Sequence, residues 1–121
     1  MSDITAEELA ARLEEPDLVV LDVRSLAEYT GVLGAPCDPR QGHVPGARHL
    51  EVTDLLDAGT PERIRELVGA PEGVEVIAYC HSGARSAHAV DVLEHAGYAA
   101  RNFVGSWHEW SRDPSLPVET G

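Results

Sequence analysis

The chain has 121 residues, with 21 Asp and Glu against 9 basic residues and a formal net charge of −12. Its length fits one domain, residues 1–121, and so acidic a surface repels polyphosphate, which argues against nucleic acid as a partner. Hydrophobic residues make up 43% and charged residues 25%, a globular composition, and no apolar run approaches the ~18 residues of a membrane span.

All nine basic residues are arginine, which excludes Schiff-base lysine chemistry and the lysine of a phosphate-binding P-loop. A chain of this size buries roughly two thirds of its unfolded surface, so it needs no disulfide or structural metal for stability. Cys37 and Cys80 stand far apart without paired spacing, and neither a zinc ribbon nor a dithiol redox motif can be read from them. Met1 to Glu15 is acidic and amphipathic where an export signal would be basic and then apolar, so the expected location is cytoplasmic.

In chain order, Thr5 and Glu8 have capping-box spacing, and Ala6, Leu9, Ala10 and Leu13 follow at helical intervals, predicting a first helix. Leu18 to Val23 is a short, nearly continuous apolar run suited to a parallel strand covered on both faces. Ser25 and Glu28 repeat the capping-box spacing and predict a short helical turn, after which Gly31 to Gly46 reads as a loop inside the domain. Ala47 to Glu51 is expected as a short strand and Val52 to Ala58 as a short helix. Thr60-Pro61-Glu62 has the residues of a helix start; Ile64, Leu67 and Val68 form the buried side and Gly69 ends it. Val74 to Tyr79 is a second strand, followed by Cys80-His81-Ser82-Gly83-Ala84-Arg85 and a helix marked by Ala89, Val90, Leu93 and Ala96 and closed by Gly97. Ala100 to Val104 is a third strand, and Ser106 with Glu109 is spaced to cap a last turn carrying Trp107 and Trp110. Strands alternate with helices, so an α/β fold with a parallel sheet follows.

Ligands in open α/β sheets sit beyond the carboxyl ends of strands, and Cys80 is the first residue after a buried strand and just before a helix. Gly83 gives the loop access to conformations that other residues avoid, so successive N–H groups can converge on one point, helped by the positive potential of the helix N-terminus. That cradle suits an anionic sulfur: it lowers the thiol pKa and supplies thiolate at neutral pH, while Arg85 can hold an oxyanion beside it. The plainer alternative is a buried, inert cysteine that merely ends a strand.

These residues resemble the rhodanese, or thiosulfate sulfurtransferase, superfamily over nearly the whole chain. Leu21-Asp22-Val23-Arg24 is similar to its first core strand, Glu28-Tyr29 to its acidic-aromatic pair, Gly42-His43-Val44-Pro45-Gly46-Ala47 to its glycine-proline signature, and Cys80 to Arg85 to its active-site loop. Gly105-Ser106-Trp107, Glu109-Trp110 and Pro117-Val118-Glu119 resemble the C-terminal catalytic half of two-domain thiosulfate and mercaptopyruvate sulfurtransferases. The resemblance implies a rhodanese-like three-layer fold with a central parallel sheet of about five strands flanked by helices. It also implies a two-step transfer in which the Cys80 thiolate takes the outer sulfur of a small anionic donor such as thiosulfate, and cyanide or a thiol removes it from the persulfide. No metal and no organic cofactor is implied. Within this reading Cys80 is the catalytic nucleophile, and His81, Ser82, Gly83, Ala84, Arg85 and Ser86 bind the substrate.

Related phosphatases and arsenate reductases place five residues between cysteine and arginine; here there are four, His81 to Ala84, a narrower ring that suits a sulfur atom. Many family members carry a basic residue directly after the cysteine, whereas His81 is only partly charged near neutrality. A persulfide carrier with a protein thiol as acceptor, a regulatory module keeping the fold without catalysis, and an arsenate reductase or phosphatase are the alternatives. Elsewhere, Asp22 and Arg24 are expected to pair, and the resemblance suggests that they brace the loop. Ser82 and Ser86 can donate to the sulfur, and Ser86 can also cap the next helix. Trp107 and Trp110 read as packing, and His88 and His95 as a solvated helix face. Cys37 reads as an ordinary loop cysteine that nothing in the sequence brings near Cys80.

Overall fold

Two segments carry apolar residues toward both faces, and hydrophobic burial sets them side by side at the middle of a parallel sheet: β1, Leu18–Asp22, and β3, Glu75–Tyr79. Five residue pairs, Leu18 with Glu75 through Asp22 with Tyr79, hold them in register. The computed structural model describes residues 3–121. Met1 and Ser2, the first residues of the acidic stretch weighed against an export signal, lie outside the described residues. β2 (Arg48–His49) flanks β1 and β4 (Ala99–Asn102) flanks β3, giving the order β2-β1-β3-β4.

The sheet therefore has four strands where about five were expected. Its fifth position is held by a single parallel bridge between Asp3 and Asn102, with the Ile4 amide donating to Asn102 O at 3.1 Å. The pairing stops there because Thr5 already caps the first helix. β2 is also shorter than the expected Ala47 to Glu51. The Ala47 amide is used in a turn with Val44 O, and Glu51 is the N-cap residue of the following helix, so two residues remain for the ladder.

The helices are α1 (Ala6–Ala11), α2 (Leu26–Thr30), α3 (Val52–Leu56), α4 (Pro61–Val68), α5 (Ala84–His95) and α6 (Ser106–Trp110). Thr5 and Ser25 form complete capping boxes with Glu8 and Glu28, while Thr60 accepts from the Arg63 amide ahead of Pro61. α1 stops at Ala11, short of Leu13, which packs against the core from the turn beyond. α5 ends at His95, and Gly97 follows at φ +96°, a left-handed conformation that suits glycine. No helix of the described residues is long and apolar enough to cross a membrane.

Strand periodicity divides the core. Val19, Leu21, Val76 and Ala78 face a layer with Leu55, Ile64, Val68, Ala89 and Leu93 from α3, α4 and α5. Val20, Ile77 and Tyr79 face the other, with Leu9 of α1, Phe103, and Trp107 and Trp110 of α6. Burying a large apolar side chain such as Leu9 or Leu93 contributes about 1.5–3 kcal/mol, and the two layers together keep the carboxyl ends of β1 and β3 level beneath the loops that follow. The α/β, three-layer arrangement read from the sequence is the one observed.

Candidate active site

The loop after β3 begins at Cys80 and turns at Gly83 into the start of α5. Gly83 has φ +96°, and a Cβ there would stand 2.8 Å from the Val104 carbonyl oxygen, so both conformation and space require glycine. The turn aims the Gly83 amide at Cys80 Sγ, 3.1 Å away, and brings the Ser86 hydroxyl to 3.4 Å of the same atom. Burial pushes the thiol up, but the Ser86 hydroxyl and the amides of Ser86, Gly83 and Ser82 outweigh it and hold Cys80 below its ordinary pKa. Cys80 is only 1% exposed and belongs to the apolar layer beneath α5. Its surroundings are thus greasy on one side and lined with hydrogen-bond donors on the other, which differs from the plain, inert strand-end cysteine.

The loop is fastened from below by residues that the sequence reading placed elsewhere or passed over. The Cys80 amide donates to Ser106 Oγ at 3.0 Å, and Ser106 Oγ donates to Phe103 O at 2.8 Å. Ser106 therefore does not cap α6 as its spacing to Glu109 suggested; Gly105 takes the cap position without a side-chain bond, and Ser106 sits at φ +53°. The competing partner is the orphan amide of Cys80, which is buried and cannot reach water. Asn102, at the carboxyl end of β4, donates to Gly83 O at 3.2 Å. The amides of Trp107 and His108 donate to the carbonyls of Cys80 and His81, both at 2.9 Å. A polar residue ending a strand next to the cysteine-bearing one was the available signal for Asn102; for Ser106 it was masked by a plausible capping box.

Asp22 and Arg24 pair as expected, at 2.6 Å, and both are fully buried. Arg24 also donates to Gly42 O at 2.6 Å and lies over the Trp107 ring at 5.0 Å, which supplies the further contacts that a buried ion pair requires. Tyr79, the residue before Cys80, donates its hydroxyl to Asp22 and accepts from the Val44 amide. Burial and the Asp22 carboxylate push the Tyr79 phenol well above its ordinary value, so it remains a donor. The glycine-proline segment is thereby tied to the end of β3. Gly42, at φ +130°, leaves room for Glu119 O, which a Cβ would meet at 2.2 Å, and His43 pairs with Glu119 in an antiparallel bridge. His43 in turn stacks on Tyr29 at 3.8 Å. Trp107 and Trp110 are buried and satisfied through their indole N–H groups on Arg40 O and Pro117 O, in keeping with a packing role.

The remaining loop side chains point to separate neighbours. Arg85, at the first turn of α5, reaches Glu28 at 3.3 Å. Burial pushes Glu28 up, but the Arg85 guanidinium and the Ser25 amide bring its carboxyl below the usual range. Ser82 and Ala84 are exposed. The His81 ring turns to Asp38, with Nε2 at 3.0 Å from Oδ2. Cys37 is not remote from the loop: its sulfur, Asp38, His81 and His108 bring their ligand atoms within 4.8 Å of one another. His88 and His95 lie exposed on α5 as expected.

The arrangement can hold a reactive sulfur anion at a strand end facing a helix N-terminus, and comparison with known proteins agrees in kind. Residues 5–113 match the profile of the Rhodanese-like domain. The chain is 38% identical, over 98% of its length, to a probable 3-mercaptopyruvate sulfurtransferase of Pseudomonas aeruginosa, and 38% identical over 95% to a thiosulfate sulfurtransferase of the same organism. It covers 44% and 45% of those two proteins, so it spans less than half the length of these curated relatives. A crystal structure described as a probable thiosulfate sulfurtransferase superposes with a TM-score of 0.83 at 44% identity, covering 97% of this chain and 47% of that one. With the strand-loop-helix cysteine site, the buried Asp22–Arg24 pair and the profile match over residues 5–113, the chain belongs to the rhodanese-like domain family.

Proposed function

We propose that this chain is a sulfurtransferase that carries a sulfane sulfur on Cys80 between a small anionic donor, such as thiosulfate, and cyanide or a thiol acceptor. The observation that carries this reading is the convergence of the Gly83 amide and the Ser86 hydroxyl on Cys80 Sγ at the start of α5. In the first step the Cys80 thiolate forms an S–S bond to the donor's outer sulfur, and the bond to the sulfite group breaks with its electron pair leaving on sulfite. In the second, the acceptor attacks the terminal sulfur of the persulfide and the Cys80 thiolate departs. This is covalent nucleophilic catalysis, with the loop amides and the helix N-terminus opposing the negative charge on sulfur in both states.

The chain's charge of −12 repels an anionic donor at long range, so recognition falls to local groups. Arg85, its side chain 41% exposed, is the cation at the loop's end, and it serves a donor oxyanion by exchanging its Glu28 partner for the substrate. His81 contributes to the loop mainly through its backbone, since its ring is turned to Asp38. Cys80 is nearly covered, so admission of the donor past the loop is a step in its own right and favours a slim sulfur atom over a bulky ester. The relatives divide between mercaptopyruvate and thiosulfate by name, and thiosulfate is taken here because the four-residue ring suits a sulfur atom while Arg85 suits a small oxyanion beside it. A 31% identical sulfur carrier protein, TtuD of Thermus thermophilus, supports a second reading in which a protein thiol is the acceptor.

Thiocyanate formation from thiosulfate and cyanide, with Cys80→Ala alongside, tests the proposal. The expected result is turnover in the parent chain and none in the variant, and intact-mass spectrometry after thiosulfate treatment is expected to show a gain of one sulfur atom on Cys80. Turnover persisting in Cys80→Ala, or no sulfur gain in the parent, overturns it.

A further inference from the structure

The side chains clustered beside the loop have no role in the sulfur chemistry proposed above, to which His81 contributes through its backbone. We infer that Cys37, Asp38, His81 and His108 form a binding site for a divalent cation of the zinc type. One sulfur, one carboxylate oxygen and two imidazole nitrogens lie within 4.8 Å of one another. Around a tetrahedral zinc ion the same donors stand about 3.3–3.8 Å apart, so small side-chain rotations close the site. The donor set is borderline soft and matches zinc better than magnesium or calcium, which prefer oxygen alone.

A second, independent observation points to a ligand. The Asp38 side chain is 1% exposed, and its Oδ2 has no hydrogen-bond partner; the His81 Nε2 atom is equally buried and equally without one. The two atoms are 3.0 Å apart yet misaligned for a hydrogen bond, which leaves their lone pairs free to address a common third point. A buried carboxylate oxygen without a partner is costly, and a dication held by Asp38 and the Cys37 thiolate neutralises both charges. His108 Nδ1 is 3.5 Å from the other oxygen of the same carboxylate, Oδ1.

Arg112 is the competing cation. It stands 4.0 Å from Asp38 Oδ1, and its Nε donates to His108 Nε2 at 3.3 Å. With a metal on Nδ1, the His108 proton moves to Nε2 and that bond is lost; Arg112 is 43% exposed and keeps its bond to Cys37 O at 2.8 Å. The site joins three segments: the loop before β2, the residue after Cys80, and α6, whose His108 amide already holds His81 O. An ion there fastens the cover over Cys80, so the expected consequence is slower admission of the sulfur donor.

The test uses the full chain carrying Cys80→Ser, so that Cys37 is the remaining thiol. Co(II) is expected to give tetrahedral d–d absorption with a thiolate charge-transfer band, displaced by one equivalent of Zn²⁺, and Zn²⁺ is expected to slow alkylation of Cys37 at least tenfold. Adding Cys37→Ser removes the charge-transfer band, and Asp38→Asn or His108→Gln weakens Zn²⁺ affinity at least tenfold by calorimetry. An octahedral Co(II) spectrum, or Cys37 alkylation indifferent to Zn²⁺, overturns the inference without recourse to any variant of the cluster, and leaves the cluster as ion pairs centred on Asp38.

Discussion

Removing the Ser86 hydroxyl isolates the contribution of the donor ring to the Cys80 thiol. Ser86 is fully buried and donates to Cys80 Sγ at 3.4 Å. Among the groups that hold the thiol below its ordinary value against burial, this hydroxyl is the largest. Hydrogen bonds to charged groups contribute about 1.5–3 kcal/mol, and the long contact places this one at the lower end. Since about 1.4 kcal/mol corresponds to tenfold, Ser86→Ala shifts deprotonation about tenfold against thiolate. The direction is upward: the donor stabilises the anion, so its loss raises the thiol pKa and lowers the thiolate fraction at any pH below it. The more basic thiolate is intrinsically more nucleophilic, with a Brønsted coefficient of about 0.4–0.5, which returns about threefold. The net expectation is a roughly threefold slower alkylation of Cys80 on the acid side of the profile, rising to or above the parent rate in alkali. The assay is iodoacetamide alkylation followed by mass spectrometry across pH, with Cys37→Ser in both proteins so that one thiol reacts. An unmoved or acid-shifted profile, with near-UV circular dichroism preserved, refutes the reasoning.

Ser106→Ala strips the Cys80 amide of its partner and is expected to cost about 1–3 kcal/mol, roughly 4–12 °C in Tm, by calorimetry; a change below about 1 °C contradicts the accounting. Gly83→Ala forces a Cβ against the Val104 backbone at φ +96°, so a loss of at least about 1–2 kcal/mol in urea titrations is expected together with reduced persulfide formation; unchanged stability would show that the loop relaxes freely. Glu75 bonds to Arg12 and Arg101, and hydrogen bonding from Arg12, partly opposed by burial and reinforced by Arg101, holds its carboxyl below its ordinary value of 4.5. A depressed carboxylate stabilises the fold above that value and loses its contribution as pH falls through the folded-state pKa. Glu75→Gln is therefore expected to cost about 0.5–1 kcal/mol at pH 7, water screening the network, and to become neutral in acid; a penalty independent of pH would refute the ionic account.

Legibility in the sequence tracked how local each interaction is. Both capping boxes, the Thr60-Pro61 start and the two central strands were readable because their causes lie within three or four residues, or in an unbroken apolar run too short for a helix. Cys80 stood out for the same reason, at a strand end before a glycine turn. Ser106 was misread because its partner, the Cys80 amide, is 26 residues away and outcompeted a local capping pattern. Cys37 was read as an isolated loop thiol, since a loop cysteine's neighbours are set by where distant elements converge.

The order of residues alone therefore decided the elements, the parallel α/β layering and the placing of Cys80 at a strand end before a glycine turn, since short-range hydrogen bonding and the period-two burial of strands are written in consecutive positions. The tertiary structure alone decided what surrounds that cysteine: Ser106 and Asn102 beneath it, Glu28 on Arg85, and Asp38 with Cys37 and His108 around His81. Such contacts arise only when packing of the two core layers brings strand ends and loops to one edge of the sheet, where buried polar atoms must find partners regardless of their distance along the chain.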